Sequence, residues 1–163
     1  MASKEHGPRN TPIDGSGLVV GVISTEWNAH IIERLLGGVE RVVNSAGSSA
    51  RHLTVPGAFE LPFAARSMIG SGTVDAVVVV GAVIRGETTH YELVADGCAR
   101  GVMDVQLTTG VPIGMGVLTV ENEAQALARS EPDGGHNVGE DATRAAIEMA
   151  LIARDEASRL ADG

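Results

Sequence analysis

Lysine is almost missing from this chain. Lys4 is the only one, so beyond the first few residues no side-chain amine exists to form a Schiff base or grip a phosphate. Any positive charge offered to an anion must come from arginine, protonated histidine or a backbone dipole. Cysteine is equally scarce. Cys98 stands alone, which excludes an intrachain disulfide framework and fits a reducing compartment. Basic residues number 12 against 21 acidic ones, for a net charge of −9. That balance argues against nucleic acid, whose phosphates require clustered Lys and Arg. The acidity itself argues for solubility and nothing more. No apolar run approaches the length of a membrane span, and no charged n-region followed by an apolar h-region opens the chain. A cytoplasmic protein that binds neither nucleic acid nor membrane is expected. His6, His30, His52 and His136 show no metal-ligand spacing with one another or with Cys98, so no metal is expected. No Ser-His-Asp order or nucleophile elbow is present.

The 163 residues suffice for one domain with a real core. Residues 1–17, rich in Gly, Pro, Ser and charge, read as a mobile leader with one extended piece near Ile13. Residues 18–163 then alternate apolar strands and amphipathic helices. Strands are expected at Leu18 to Ile23, Arg51 to Val55 and Ala76 to Ile84. A fourth runs from Pro112 to Val120, broken by Gly114 and Gly116. Helices are expected at Ala29 to Ala46, Glu60 to Ile69, Tyr91 to Leu107, Asn122 to Arg129 and Glu140 to Leu160. The nearly continuous apolar run from Ala76 to Ile84 suits a strand covered on both faces. The pattern predicts an α/β fold: a flavodoxin-like three-layer sandwich with a four-stranded, mainly parallel sheet and helices on both faces. Ligands in such sheets bind beyond the carboxyl ends of the strands.

The polar turns at those ends hold the candidate chemistry. After the third strand comes Arg85-Gly86-Glu87-Thr88-Thr89-His90-Tyr91-Glu92. Thr89 and Glu92 have capping-box spacing, which puts Thr89 at a helix N-cap and His90 in the first turn. The N–H groups of Gly86, Glu87 and Thr88 can hold an anion such as phosphate, with the Glu87 carboxylate turned away. An imidazole beside them can accept a proton and return it. The plainer alternative is a capped helix with an exposed histidine. After the first strand, Ser24 to Asn28 lacks the glycine-rich dinucleotide fingerprint and carries the chain's one tryptophan instead. Trp27 there suits stacking on a planar ring, although a core tryptophan is the plainer alternative. After the second strand, Pro56 and Gly57 set a rigid turn, and Glu60 can accept hydrogen bonds from a polyol or amine. Arg129, taken alone, reads as a surface arginine. Cys98 reads as a small core residue. Ala146, Ala150, Ala153 and Ala157 form a small-residue stripe suited to tight packing or to plain helix propensity.

These turns occur together in one family. Trp27-Asn28, Pro56 to Pro62, Gly81 to Tyr91, and Val117-Leu118-Thr119 through Asn122 to Ala126 make the chain resemble lumazine synthase from about Leu18 to Leu160. The resemblance implies condensation of 5-amino-6-(D-ribitylamino)uracil with 3,4-dihydroxy-2-butanone 4-phosphate, with loss of phosphate and water and with no cofactor or metal. The reacting amine would belong to the substrate, which suits a chain without lysine in its folded part. It further implies that Trp27 stacks on the pyrimidine, that Ala58 and Glu60 hold the ribityl chain with Phe59 also among the substrate-binding residues, and that Ala82, Val83 and Ile84 contact the pyrimidine through the backbone. Gly86, Glu87 and Thr88 would hold the phosphate and His90 would transfer protons. Arg129, from a neighbouring subunit, would bind the departing phosphate, so the site would lie between subunits of a homo-oligomer, a pentamer that in some members builds larger shells.

Three departures stand out: a missing lysine, a loop after Arg129 that is one residue longer and contains Pro132, and Met115. Where most members carry a lysine in a Gly-Asn-Lys-Gly segment, this chain reads Gly135-His136-Asn137-Val138-Gly139. Met115 sits where many members place an aromatic residue over the pyrimidine, and it still offers apolar contact through a polarisable sulfur. Val138 motivates a second reading, a scaffold or binding homologue that keeps the pocket without turnover. A riboflavin synthase of the same broad fold is a third.

Overall fold

The computed structural model describes residues 11–163, so the first ten residues of the expected leader lie outside the described residues. Four strands alternate with helices: β1 (Val19–Thr25), α1 (Ala29–Ala46), β2 (Ser49–Val55), α2 (Leu61–Gly70), β3 (Ala76–Ile84), α3 (His90–Thr109), β4 (Ile113–Val120), the short α4 (Glu123–Leu127) and α5 (Val138–Ala161). A 3-10 turn, Ala58–Glu60, precedes α2. Every strand pair is parallel, in the order β2-β1-β3-β4. The chain therefore steps outward from β1 to β2, crosses back past β1, and continues through β3 to β4.

The strand sequences explain the layers. Successive side chains on a strand point to opposite faces. On β3, Ala76, Val78, Val80 and Ala82 join a cluster with α1 and α5, while Val77 and Val79 join a cluster with α2 and α3. A strand buried on both sides needs apolar residues at every position, as this one has. On α1, Ile31, Ile32, Leu35, Val39 and Val43 form one buried face. Each such side chain contributes roughly 1.5–3 kcal/mol on leaving water. Cys98 is fully buried on α3 among the α2–α3 cluster, and burial pushes its thiol up to about 11. It is a packing residue.

β4 is continuous, contrary to the expected break at Gly114 and Gly116. The glycines serve another need. A Cβ on Gly114 would lie 2.1 Å from the Ala142 carbonyl oxygen, and one on Gly116 would lie 2.8 Å from that of Val79. The missing side chain at Gly114 lets α5 lie directly on the strand. α5 itself starts earlier than expected, because Asn137 caps it by accepting from the N–H of Gly139 at 2.9 Å and of Glu140 at 3.3 Å. Of the alanine stripe on α5, Ala146 and Ala150 are buried in the core, whereas Ala153 and Ala157 are exposed. Residues 11–17 lie against the α1–α5 side. The Gly15 N–H donates to the Ala46 carbonyl at 2.8 Å, Ser48 Oγ donates to the Gly15 carbonyl at 2.8 Å, and Arg144 donates to the Thr11 carbonyl.

Replacing Gly114 by Ala should destabilise the protein by about 2–3 kcal/mol, because an added methyl meets backbone that cannot move aside. Gly70→Ala, whose Cβ would meet nothing within 4 Å, should change stability by about 1 kcal/mol or less. Urea unfolding monitored by circular dichroism checks the contrast.

Candidate active site

At the carboxyl ends of β1 and β3 the connections part company. α1 folds back over one face of the sheet and α3 over the other. The divergence opens a crevice, as it does generally in doubly covered parallel sheets. A cavity of about 660 Å³ occupies it, a size suited to a small organic ligand. Its walls come from the segments after β1 (Trp27, Asn28), after β2 (Pro56 to Glu60), the end of β3 (Ala82 to Ile84) and the start of α3 (His90, Leu93, Val94).

Trp27 stands at the mouth with 73 % of its surface exposed. The alternative of a core tryptophan is thereby excluded. Its position is set by Asn28, the one non-glycine residue with positive φ (59°) among the described residues. Asparagine tolerates this left-handed conformation better than most side chains. Asn28 occupies the N-cap of α1 yet makes no capping bond. Its Nδ2 instead donates to the Ala82 carbonyl at 3.0 Å, tying the end of β1 to the end of β3 under the cavity. A capping bond worth about 1 kcal/mol is forgone for that tie.

Beside the indole, Gly57 runs extended between two converging side chains. A Cβ there would lie 3.1 Å from Glu60 Oε2 and 3.6 Å from Trp27 Cδ1. The Glu60 carboxylate and the indole edge thus share one corner of the cavity. Phe59 is 64 % exposed and seats the edge of its ring against Gly97 of α3, where a Cβ would come within 2.7 Å.

His90 opens α3 and faces the cavity. The turn before it, Gly86 to Thr89, is exposed. Among the described residues, the N–H groups of Gly86, Glu87 and Thr88 have no hydrogen-bond partner. The expected capping box does not form. Thr89 makes no side-chain cap bond, and Thr88 Oγ1 accepts weakly from the His90 N–H at 3.3 Å. Glu92 turns away to pair with the Arg85 guanidinium. A charge-assisted bond to arginine outcompetes a bond to a neutral backbone N–H. The result is a turn and helix start whose donors are free to meet an anion.

The structure brings Trp27, Ala58, Phe59, Glu60, Ala82, Val83, Ile84 and His90 to one cavity, with Gly86, Glu87 and Thr88 on the loop joining two of its walls. It does not bring Arg129 or Met115 there. Arg129 follows α4, whose Ala126 packs in the α1–α5 cluster, on the sheet face opposite α3. Its guanidinium donates to the Gln125 carbonyl at 3.0 Å. Met115 is partly exposed and pairs in register with Val79, whereas Ala82, Val83 and Ile84 pair with Leu118, Thr119 and Val120. It therefore lies toward the other end of β4. Val138, at the position of the expected lysine, packs half-buried against the α1–α5 cluster, and His136 lies 3.5 Å from Asp141. Sequence reasoning named Asn28 only as part of a motif, and missed Thr25, Leu93 and Val94 as lining residues. A lone Asn between an exposed tryptophan and an amphipathic helix was the available signal for the first.

Among the described residues, no group of three or more His, Cys, Asp or Glu side chains could hold a metal, and no helix is long and apolar enough to cross a membrane. Comparison with known proteins now adds to the geometry. A family model described as 6,7-dimethyl-8-ribityllumazine synthase matches residues 17–154. A relative of that name from Kineococcus radiotolerans is 45% identical over 150 residues, covering 91% of this chain and 92% of its own length. One from Clavibacter sepedonicus is 42% identical over 143 residues, covering 87% and 89%. Another from the yeast Schizosaccharomyces pombe is 39% identical over 157 residues, covering 94% and 99%. Matches of this extent, laid over a cavity that gathers the same motifs, mean that the chain belongs to the 6,7-dimethyl-8-ribityllumazine synthase family.

Proposed function

We propose that this chain is a transferase that condenses 5-amino-6-(D-ribitylamino)uracil with 3,4-dihydroxy-2-butanone 4-phosphate, releasing phosphate and water and forming 6,7-dimethyl-8-ribityllumazine in the penultimate step of riboflavin biosynthesis. One observation carries the reading. Segments far apart in sequence, at Trp27, at Ala58 to Glu60, and at Ala82 to Ile84 with His90, converge on a single cavity of suitable size.

The roles follow from position. Trp27 stacks on the pyrimidine at the mouth. The Glu60 carboxylate, beside the indole, accepts hydrogen bonds from ribityl hydroxyls, with Ala58 and Phe59 shaping that end. The backbone of Ala82, Val83 and Ile84 meets the pyrimidine edge, held in place by Asn28. The substrate's own amine attacks the ketone, so no lysine is required. His90 accepts and returns the protons exchanged during imine formation and phosphate loss, an effect worth about 10²–10⁴ in rate. Holding both substrates in reacting geometry supplies much of the rest. No redox step occurs, and no cofactor enters.

The departing phosphate rests on the N–H groups of Gly86, Glu87 and Thr88. Charge there is unfavourable within one chain. Glu87 adds a carboxylate, and Arg85 is committed to Glu92 and Glu121. A cation must therefore come from elsewhere, and Arg129 on the far face of its own sheet cannot supply it. Arg129 of an adjoining copy does so in this reading, stabilising the anion as it forms. Met115, exposed on β4, reaches an adjoining copy's pyrimidine in the same way. The assembly is a homo-oligomer with sites between subunits, and family resemblance favours a pentamer. Phe63, Met103 and Leu107, all exposed on α2 and α3, offer apolar surface for such contacts. The lone reduced cysteine fits a cytoplasmic enzyme.

Mixing the two substrates with purified protein should produce the lumazine chromophore. Binding of product without accelerated formation would reject the enzyme in favour of a scaffold. His90→Ala should lower kcat about a hundredfold with the sedimentation behaviour unchanged. Unaltered turnover rejects its assigned role.

Shared sites predict complementation. Reassembling equal amounts of the impaired His90→Ala and Arg129→Ala variants should restore about a quarter of wild-type activity, since half of the cavities carry His90 and half of their neighbours carry Arg129. No recovery after verified subunit exchange rejects donation of Arg129 from an adjoining copy. Trp27, the single tryptophan, should lose fluorescence when the pyrimidine substrate alone is titrated in, and an unchanged emission spectrum would remove it from the ring-binding role.

A further inference from the structure

Arg85 is the last residue before the phosphate-binding turn, and its surroundings are unusual for an exposed arginine. Its own N–H donates to the Val120 carbonyl at 2.9 Å, extending the β3–β4 ladder by one bond. Its guanidinium then reaches in two directions. It pairs with Glu92 in the first turn of α3, and its Nε lies 2.8 Å from Glu121 Oε2 just beyond β4. The guanidinium carbon also sits 4.2 Å from the centroid of the Tyr91 ring, a cation–π contact. One side chain thus gathers the ends of β3 and β4 and the start of α3.

The topology of this grip matters more than its charge. Residues 86–89 leave the chain at Arg85 and return to it at His90. The residues that Arg85 holds, Tyr91 and Glu92, come directly after that return. The turn is therefore a closed ring, pinned at one end by the backbone of Arg85 and at the other by its side chain. Little else shapes it. Gly86 has no neighbour within 4 Å of where a Cβ would stand, and the 3.3 Å contact from the His90 N–H to Thr88 Oγ1 is the one hydrogen bond within the turn among the described residues.

We infer that Arg85 is a positioning residue for the reaction: by clamping Tyr91 and Glu92 to the β3–β4 edge it sets the shape in which Gly86, Glu87 and Thr88 present their N–H groups to the phosphate. The inference rests on the reading of that turn as the phosphate site. Arg85 is assigned as a positioning residue and not as a phosphate ligand, because its Nη1 and Nε are directed to the carboxylates of Glu92 and Glu121. Lysine at this position cannot substitute fully, since a single ammonium lacks the planar fork that meets two carboxylates and stacks on a ring. The clamp is intact near neutral pH. The hydrogen bond from Arg85 holds the Glu92 carboxyl below its ordinary value, so the pair is lost only as pH falls through that lowered value.

Glu92→Gln separates positioning from charge by the sign of its effect. The substitution removes a negative charge near the anion, so simple electrostatics predicts tighter phosphate binding. Loosening the clamp predicts weaker binding. The test measures KM for each substrate, and inhibition by inorganic phosphate, in the full-length wild type and in Arg85→Gln, Arg85→Lys, Glu92→Gln and Glu121→Gln. Arg85→Gln should raise KM for the ketone phosphate about tenfold while KM for the pyrimidine stays within about twofold, the split expected when one substrate's subsite loses its geometry. Arg85→Lys should recover part of that loss, and Glu92→Gln should weaken phosphate inhibition several-fold. Should Arg85→Gln fail to fold, the two glutamate variants, altered only at exposed side chains, carry the test. Wild-type protein that makes no lumazine overturns the proposed reaction and this inference with it. Active wild type whose Glu92→Gln variant binds phosphate as well or better overturns this inference alone, as does an Arg85→Gln variant that raises both KM values equally.

Discussion

The parallel pairing of β1 with β3 is the constraint on which the rest depends. A strand whose connections leave toward opposite faces from those of its neighbour cannot cover the gap at their common end. Here that gap lies between Thr25 and Ala82, and the chain does not fill it with apolar side chains. A single amide, Asn28 to the Ala82 carbonyl at 3.0 Å, bridges the two strand ends, and the space above them stays open. The groups proposed to meet the substrate lie at the end of β3 itself or on short segments leaving β1, β2 and β3. The rigid part of the site is therefore the sheet, and the variable part is three short turns.

The electrostatic character of the site follows from what those turns contain. Carboxylates outnumber cations around the turn from Gly86 to Thr89, with Glu87 on the turn and Arg85 spoken for by Glu92 and Glu121. Backbone N–H groups at the start of a long helix offer partial positive charge with no counter-ion attached. In the proposed reading they need a further cation to hold a phosphate, which Arg129, behind its own sheet, does not supply within one chain. On that reading such a cavity is half a site in electrostatic terms, and an adjoining copy supplies the other half.

Much of this was legible in the sequence. The four strands and five helices fall close to where apolar periodicity placed them, and Ala76 to Ile84 and Ala29 to Ala46 agree residue for residue. Those segments have one dominant signal each, burial on two faces or on one. The failures share a different cause. The Thr89–Glu92 spacing suggested a local cap, but Arg85, seven residues from Glu92 along the chain, competes for the carboxylate in three dimensions. Gly114 and Gly116 suggested a break, but Gly114 answers to α5, which follows much later in sequence, and Gly116 to the backbone of the neighbouring β3. The left-handed backbone at Asn28 and the face on which Arg129 stands depend on how layers stack. Local pattern carries no information about either.

The conformation of Asn28 has a consequence for anyone wishing to redesign the cleft. With φ at 59° and its amide spent on the β3 carbonyl, this position admits few other residues without strain. Trp27 and Phe59, by contrast, project from ordinary or flanking backbone with most of their surface uncovered. Libraries aimed at new heterocycles should diversify the two aromatic positions and leave the asparagine untouched, because its amide is what joins the end of β1 to the end of β3.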